Sequence, residues 1–257
     1  MMQITKNLNS LFFICGLLFA TNTYAYCNNN SINAVSEKHG VTIHCDANYE
    51  RYFSSKHILR KFCKDKISGN SVYFTYSSSR IISKGLDEVL SRYPKKVLEK
   101  HLHHIYLLSG FHCNGLPYGG TGFDDVIYLD VHDYTNRAWL VDAFHHEFSS
   151  VLMKENRWLF QMWRFERISG SESYNGSTLA EKCLSRKKNC RTYSSDFLRK
   201  GFIYEYGMTN PENDFNVYVE HFFNNPEKLK ELREQYPLVD EKARHIELFY
   251  RKIGMII

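Results

Sequence analysis

Apolar positions set out the predicted elements before any residue type is counted. Between residues 136 and 156 they recur at Leu140, Val141, Phe144, Phe148, Val151 and Leu152. That spacing predicts an amphipathic helix, with Thr135 as its N-cap. Leu86, Val89, Leu90 and Tyr93 repeat the helical period, and Pro94 interrupts it. Further helices are predicted over 158–168, 214–224, 226–235 and 239–253, and residues 49–66 mix apolar and polar positions at helical spacing. Strands are predicted over 41–45, 72–76, 104–108 and 125–130. The stretch 115–122 is so rich in turn residues that it reads as a loop. Strands early and helices late argue for an α+β fold, a small sheet followed by a helical C-terminal part.

The first 25 residues stand apart from this pattern. Lys6 precedes an apolar run from Leu11 to Ala20, and Thr23-Tyr24-Ala25 offers small residues where a signal peptidase reads. We therefore expect a removed leader, 1–25, and one domain, 26–257, in the periplasm or secreted. The apolar run is about half the roughly 20 residues needed to span a bilayer. Export also changes the reading of the cysteines. Cys27, Cys45, Cys63, Cys113, Cys183 and Cys190 remain, an even number that predicts disulfides rather than a metal cluster. Cys183 and Cys190 flank a short basic loop and form the most plausible local bridge, and the other pairings stay open. With 43% hydrophobic residues and only 14 Gly and 5 Pro in 257, the chain has material for a core and is not low-complexity. The net charge of +5 comes from scattered residues, which excludes a basic nucleic-acid-binding stripe.

Candidate chemistry sits on the central helix at Phe144-His-His-Glu-Phe-Ser-Ser150. At 100° per residue, Asp142, His146 and Ser150 share the face opposite the apolar set, with Glu147 at its edge. A histidine followed by glutamate, with a second ligand one turn on, is the arrangement by which a helix binds zinc and activates its water. Here the position one turn on is Ser150, a poor zinc ligand. On the later helix Phe215, Tyr218 and Phe222 form an apolar stripe, and Glu220 points away from it with His221 alongside. Two readings remain open on spacing alone. Both polar faces are solvated surfaces of ordinary packed helices, or the two helices contribute ligands to one ion. His101, His103, His104 and His112 are further candidates to complete a metal shell. Trp158, Phe160, Trp163 and Phe165 read as core. No Gly-x-Ser-x-Gly elbow is present, which weighs against that type of serine hydrolase.

In order along the chain stand His104-Ile-Tyr-Leu, Tyr118-Gly-Gly-Thr121, Val126-Ile-Tyr-Leu129, the His-His-Glu segment, Gly201-Phe-Ile-Tyr-Glu-Tyr206 and Asp214-Phe-Asn216. This set resembles a family of zinc-binding metallopeptidases of bacterial envelopes with a zincin-like fold. The resemblance implies zinc held by His146 and Glu220, with His221 as the backup ligand, and Glu147 as general base. It also implies that residues 125–130 form an edge strand where a peptide lies, with Asp125, Ile127 and Leu129 as substrate-binding positions. The chain departs from the pattern at Ser150, where a second histidine is usual, and at Val217, where an acidic residue often stands. Two functions follow: zinc-dependent hydrolysis of a peptide or protein substrate, or an inactive zincin-fold domain that binds peptides or protein partners.

Overall fold

Asn29 starts the first helix by accepting the backbone N–H groups of Ser31 and Ile32, and Gly40 ends it in the left-handed region at φ 68°. The computed structural model describes residues 27, 29–45, 63, 67–70, 72, 74–131, 137–185 and 188–255. The leader 1–25, Thr135 and the segment 49–66, apart from Cys63, lie outside them. Through these residues run α1 (Asn30–His39), β1 (Thr42–His44), β2 (Ile67–Asn70), α2 (Tyr76–Ser91) and α3 (Lys95–His101). Then come β3 (His104–Cys113), β4 (Leu116–Pro117), β5 (Gly120–Phe123) and β6 (Val126–Asp130). The second half is α4 (Arg137–Glu155), α5 (Arg157–Phe160), α6 (Met162–Ser169), α7 (Gly176–Leu184), α8 (Ser195–Leu198), α9 (Pro211–Asn224), α10 (Pro226–Gln235) and α11 (Pro237–Lys252). The expected α+β layout, a small sheet and then helices, is what the chain adopts.

The sheet is ordered β1-β3-β6-β5, with β1, β3 and β6 parallel and β5 antiparallel to β6. Strands β2 and β4 pair antiparallel with the far half of β3. Two local expectations change. Among the described residues of 72–76 none is in a strand: Thr75 and Ser78 make a reciprocal capping box, and the helix α2 starts at Tyr76. The run 158–168 is not one helix, because Gln161 adopts φ 53° and splits it into α5 and α6. That break also divides the aromatic set. Phe160 and Phe165 are core, whereas Trp158 and Trp163 are 75% and 52% exposed.

Helix α4 packs against β5 and β6 on one side, α9 on another and α2 on a third. Its apolar residues Leu140, Phe144, Phe148, Val151 and Leu152 are all buried in the main core. Each such side chain contributes about 1.5–3 kcal/mol on leaving water, which is what holds α4 in this central position. The cysteines form three disulfides, Cys27–Cys45, Cys63–Cys113 and Cys183–Cys190, the last as expected from its loop. Such bonds persist in oxidising compartments. Among the described residues no helix is long and apolar enough to cross a membrane.

Candidate functional site

The glycines of 118–122 do more than turn the chain. Gly120 and Gly122 lie in β5, and a Cβ on Gly120 would stand 2.6 Å from the Tyr128 carbonyl and 2.8 Å from Glu147 Cγ. One on Gly122 would stand 2.6 Å from the Glu147 carbonyl. Glycine is therefore what lets α4 lie directly on this strand. The consequence corrects the expected edge. Strand β6 runs between β3 and β5, and Ile127 and Leu129 are fully buried core residues rather than substrate-binding positions. Asp125 is hydrogen-bonded to His103 at 2.5 Å in the turn before β6. The end of the sheet is β5, which glycine's low strand preference concealed.

The polar side of α4 is not solvated either. It meets a complementary stripe on α9, in antiparallel order. Asn224 donates to Asp142 at 2.6 Å, His146 Nδ1 donates to Glu220 Oε1 at 2.6 Å, and Asn216 donates to Ser150 at 2.8 Å. The Ser149 hydroxyl lies 2.6 Å from the Asn216 side-chain oxygen. One amide thus binds both serines, and Ser150 is buried in this seam rather than turned toward a cleft. The spacing of four residues on each helix puts every partner on the facing stripe. His146 and Glu220 are brought together as expected. His221 is not: it donates from Nδ1 to the Val217 carbonyl and accepts from Tyr193 through Nε2. The four other histidine candidates are engaged elsewhere. His101 pairs with Glu155, His103 with Asp125, His104 with His44, and His112 with the Gly110 carbonyl.

Beside this seam opens a cleft of about 620 Å³, bounded by Tyr118, Gly119 and Gly120 on the strand side and by Asp142, His146 and Glu147 on α4. Its third wall is the loop closed by Cys183 and Cys190, which presents Arg191. Sequence reasoning missed Arg191, and its only signal was the adjoining bridged cysteine. The guanidinium donates to both oxygens of Glu220, Nη1 to Oε2 at 2.7 Å and Nη2 to Oε1 at 3.1 Å.

Electrostatics follow from these contacts. Burial favours the neutral form of Glu220, but Arg191 and His146 outweigh it and lower the pKa to about 2. Burial also acts against a charged His146, and the Glu220 carboxylate reverses this and raises it. Glu147 goes the other way, up to about 7, because burial and the neighbouring carboxylates Glu212 and Glu220 exceed the pull of His146 and Lys154. Its carboxylate makes no hydrogen bond among the described residues, so Glu147 is a titratable group facing the cleft near neutral pH. Asp142 is raised to about 6 by burial and by Glu220.

A catalytic zinc ion takes three protein donors and a water. The residues present do not fit that centre. Two donors on one tetrahedral zinc stand about 3.3 Å apart, given bonds of about 2.0–2.2 Å. His146 Nδ1 and Glu220 Oε1 are 2.6 Å apart, a direct hydrogen bond, so these two atoms do not share an ion. Both Glu220 oxygens carry Arg191, Ser150 is committed to Asn216, and no group of three His, Cys, Asp or Glu residues suited to a metal occurs among the described residues.

No protein-family model matches the sequence, and no curated protein matches it. Among solved structures the chain is similar to a "putative zinc-binding metallo-peptidase" from Bacteroides caccae. The similarity covers 90% of each chain with a TM-score of 0.51 and 12% sequence identity. At that identity it establishes a distant metallopeptidase-like fold.

Proposed function

We propose that this protein acts outside the cytoplasm as a peptide-binding domain of metallopeptidase-like fold, and holds an extended polypeptide segment in the α4–β5 cleft without cleaving it. The observation that carries this reading is the outer side of β5, at the end of the sheet. Asp130 donates its N–H to the Gly119 carbonyl, so the alternation of an antiparallel ladder turns the amides of Gly120 and Gly122 outward. Gly119 and Gly120 line the cleft, so an extended chain entering it meets the outward backbone groups of Gly120, while the Gly122 carbonyl is held by Lys154 at 3.4 Å. The disulfides support a location outside the cytoplasm.

The rival reading, hydrolysis with zinc and Glu147 as base, draws on the contact between His146 and Glu220 and on the raised pKa of Glu147. The two are separated by titrating the full chain with labelled unstructured peptides of about ten residues, the length a strand and its flanks occupy. Binding is expected, the peptides are expected to stay intact by mass spectrometry, and N-methylation of alternate amides in one register is expected to weaken binding about tenfold or more. Equal binding of methylated and parent peptides, or no binding, would overturn the strand-addition mode. Cleavage that disappears in Glu147→Gln would replace it with the hydrolytic reading.

A further inference from the structure

We infer that Arg191 is a built-in counter-ion that stands in place of a metal, so that this cleft is closed to divalent cations by the chain's own guanidinium. The inference concerns Glu220 and its neighbours and holds whatever ligand the cleft takes.

Glu220 is 3% exposed, and a carboxylate so buried needs a cation. In a metal centre of this kind the ion would supply it. Here the charge comes from Arg191, whose planar fork matches the carboxylate and engages both oxygens. His146 takes the remaining acceptor site on Oε1, at a separation too short to admit an ion between the two atoms. Glu220 is thereby removed from the lining of the cleft, where His146 and Arg191 are presented instead.

Arg191 is also held in position by its own surroundings. The Cys183–Cys190 bridge ends at the residue before it. Its backbone N–H donates to the Asn189 side chain at 3.1 Å, and the Cys190 carbonyl accepts from the Tyr206 N–H at 3.0 Å. The guanidinium carbon lies 5.5 Å from the centre of the Tyr206 ring, within cation–π range. The Arg191 side chain is 45% exposed, so its charge keeps part of its hydration while neutralising a buried partner. Four separate restraints on one exposed arginine argue for a placed group. Removing the guanidinium would leave a carboxylate and an imidazole side by side at the cleft wall, two zinc donors without their resident cation.

The test titrates zinc alone into the purified, disulfide-bonded full chain, its Arg191→Ala variant and the double variant Arg191→Ala with Glu220→Gln, read by a competing chromophoric chelator. The wild type is expected to bind no zinc at this position. Arg191→Ala is expected to bind it at least about tenfold more tightly, since a unit positive charge within about 4 Å has gone, and the double variant is expected to lose that gain. An equivalent of zinc on the wild type that vanishes in Glu220→Gln would overturn the inference. So would a folded Arg191→Ala protein whose zinc affinity equals that of the wild type. If Arg191→Ala does not fold, the wild-type and Glu220→Gln titrations decide the matter: Glu220-dependent zinc refutes it, and none supports it.

Discussion

Helix α9 carries two buried carboxylates, Asp214 in its first turn and Glu220 near its middle, and their surroundings drive them in opposite directions. Asp214 is pushed up to about 6, chiefly by burial, although Lys242 is bonded to it and Tyr174 donates to it at 2.9 Å. Glu220, almost as buried, is pulled down to about 2. Burial alone therefore does not decide the outcome. Among the described residues Asp214 has a single cation, Lys242, which is itself fully buried among Phe165, Phe202, Tyr174 and Tyr218 and whose own pKa burial lowers. The second Asp214 oxygen has no hydrogen-bond partner among the described residues. Glu220 has two cationic neighbours and donors on both oxygens, and one of those cations reaches water. A counter-ion that must be desolvated stabilises a carboxylate less than one that stays partly wet. The first pair fastens α9 to α11 in the core, and the second shapes a cleft.

The sharpest way to break this comparison is to remove the core cation. Lys242→Met leaves the Asp214 carboxylate buried and unpaired, and should cost about 3–5 kcal/mol in urea unfolding. Adding Asp214→Leu should restore most of that loss, because an apolar pair of similar volume needs no counter-ion. A single variant as stable as the wild type would show that Asp214 is neutral in the native protein.

Next in size is the pH dependence, where the two carboxylates have opposite signs. Asp214 titrates higher in the folded state than its ordinary 3.8, so its contribution is complete below about pH 4 and is lost as pH rises through about 6. Glu220 titrates lower than its ordinary 4.5, so its contribution is present above that value and is lost as pH falls through about 2. Each effect is on the order of 3 kcal/mol across its window. Unfolding free energies measured from pH 2 to 8 should show Asp214→Asn flattening the decline between about pH 4 and 6. Glu220→Gln should flatten the acid limb instead. Identical profiles for the two variants would erase the distinction.

The smallest effect supplies a neutral control between them. Asn216 is buried on the same helix and bonds Ser149 and Ser150 without charge. Asn216→Ala should cost about 1–3 kcal/mol at every pH, the usual loss for leaving buried hydroxyls unpaired. A cost that varied with pH would mean that the serine seam is coupled to the neighbouring carboxylates.

Local spacing was enough to place α2, α4, α9, α10 and α11, because period and capping are properties of nearby residues. It was also enough to pair Cys183 with Cys190, seven residues apart, and to single out His146 and Glu220 as polar positions opposite apolar stripes. Only the tertiary structure decided what those positions meet. The glycines of β5 read as a loop because their value lies in the absence of a Cβ beneath α4, a contact made across the chain. The polar face of α4 read either as wet or as a ligand face, because nothing in its own sequence announces Asn216, Glu220 and Asn224 on a facing helix. Lys242 carries no local sign of burial, and Arg191 sits in a loop 29 residues before the carboxylate it neutralises. Periodicity reports which side of an element is polar. Whether that side faces water, a counter-ion or a ligand depends on partners that only folding brings into contact.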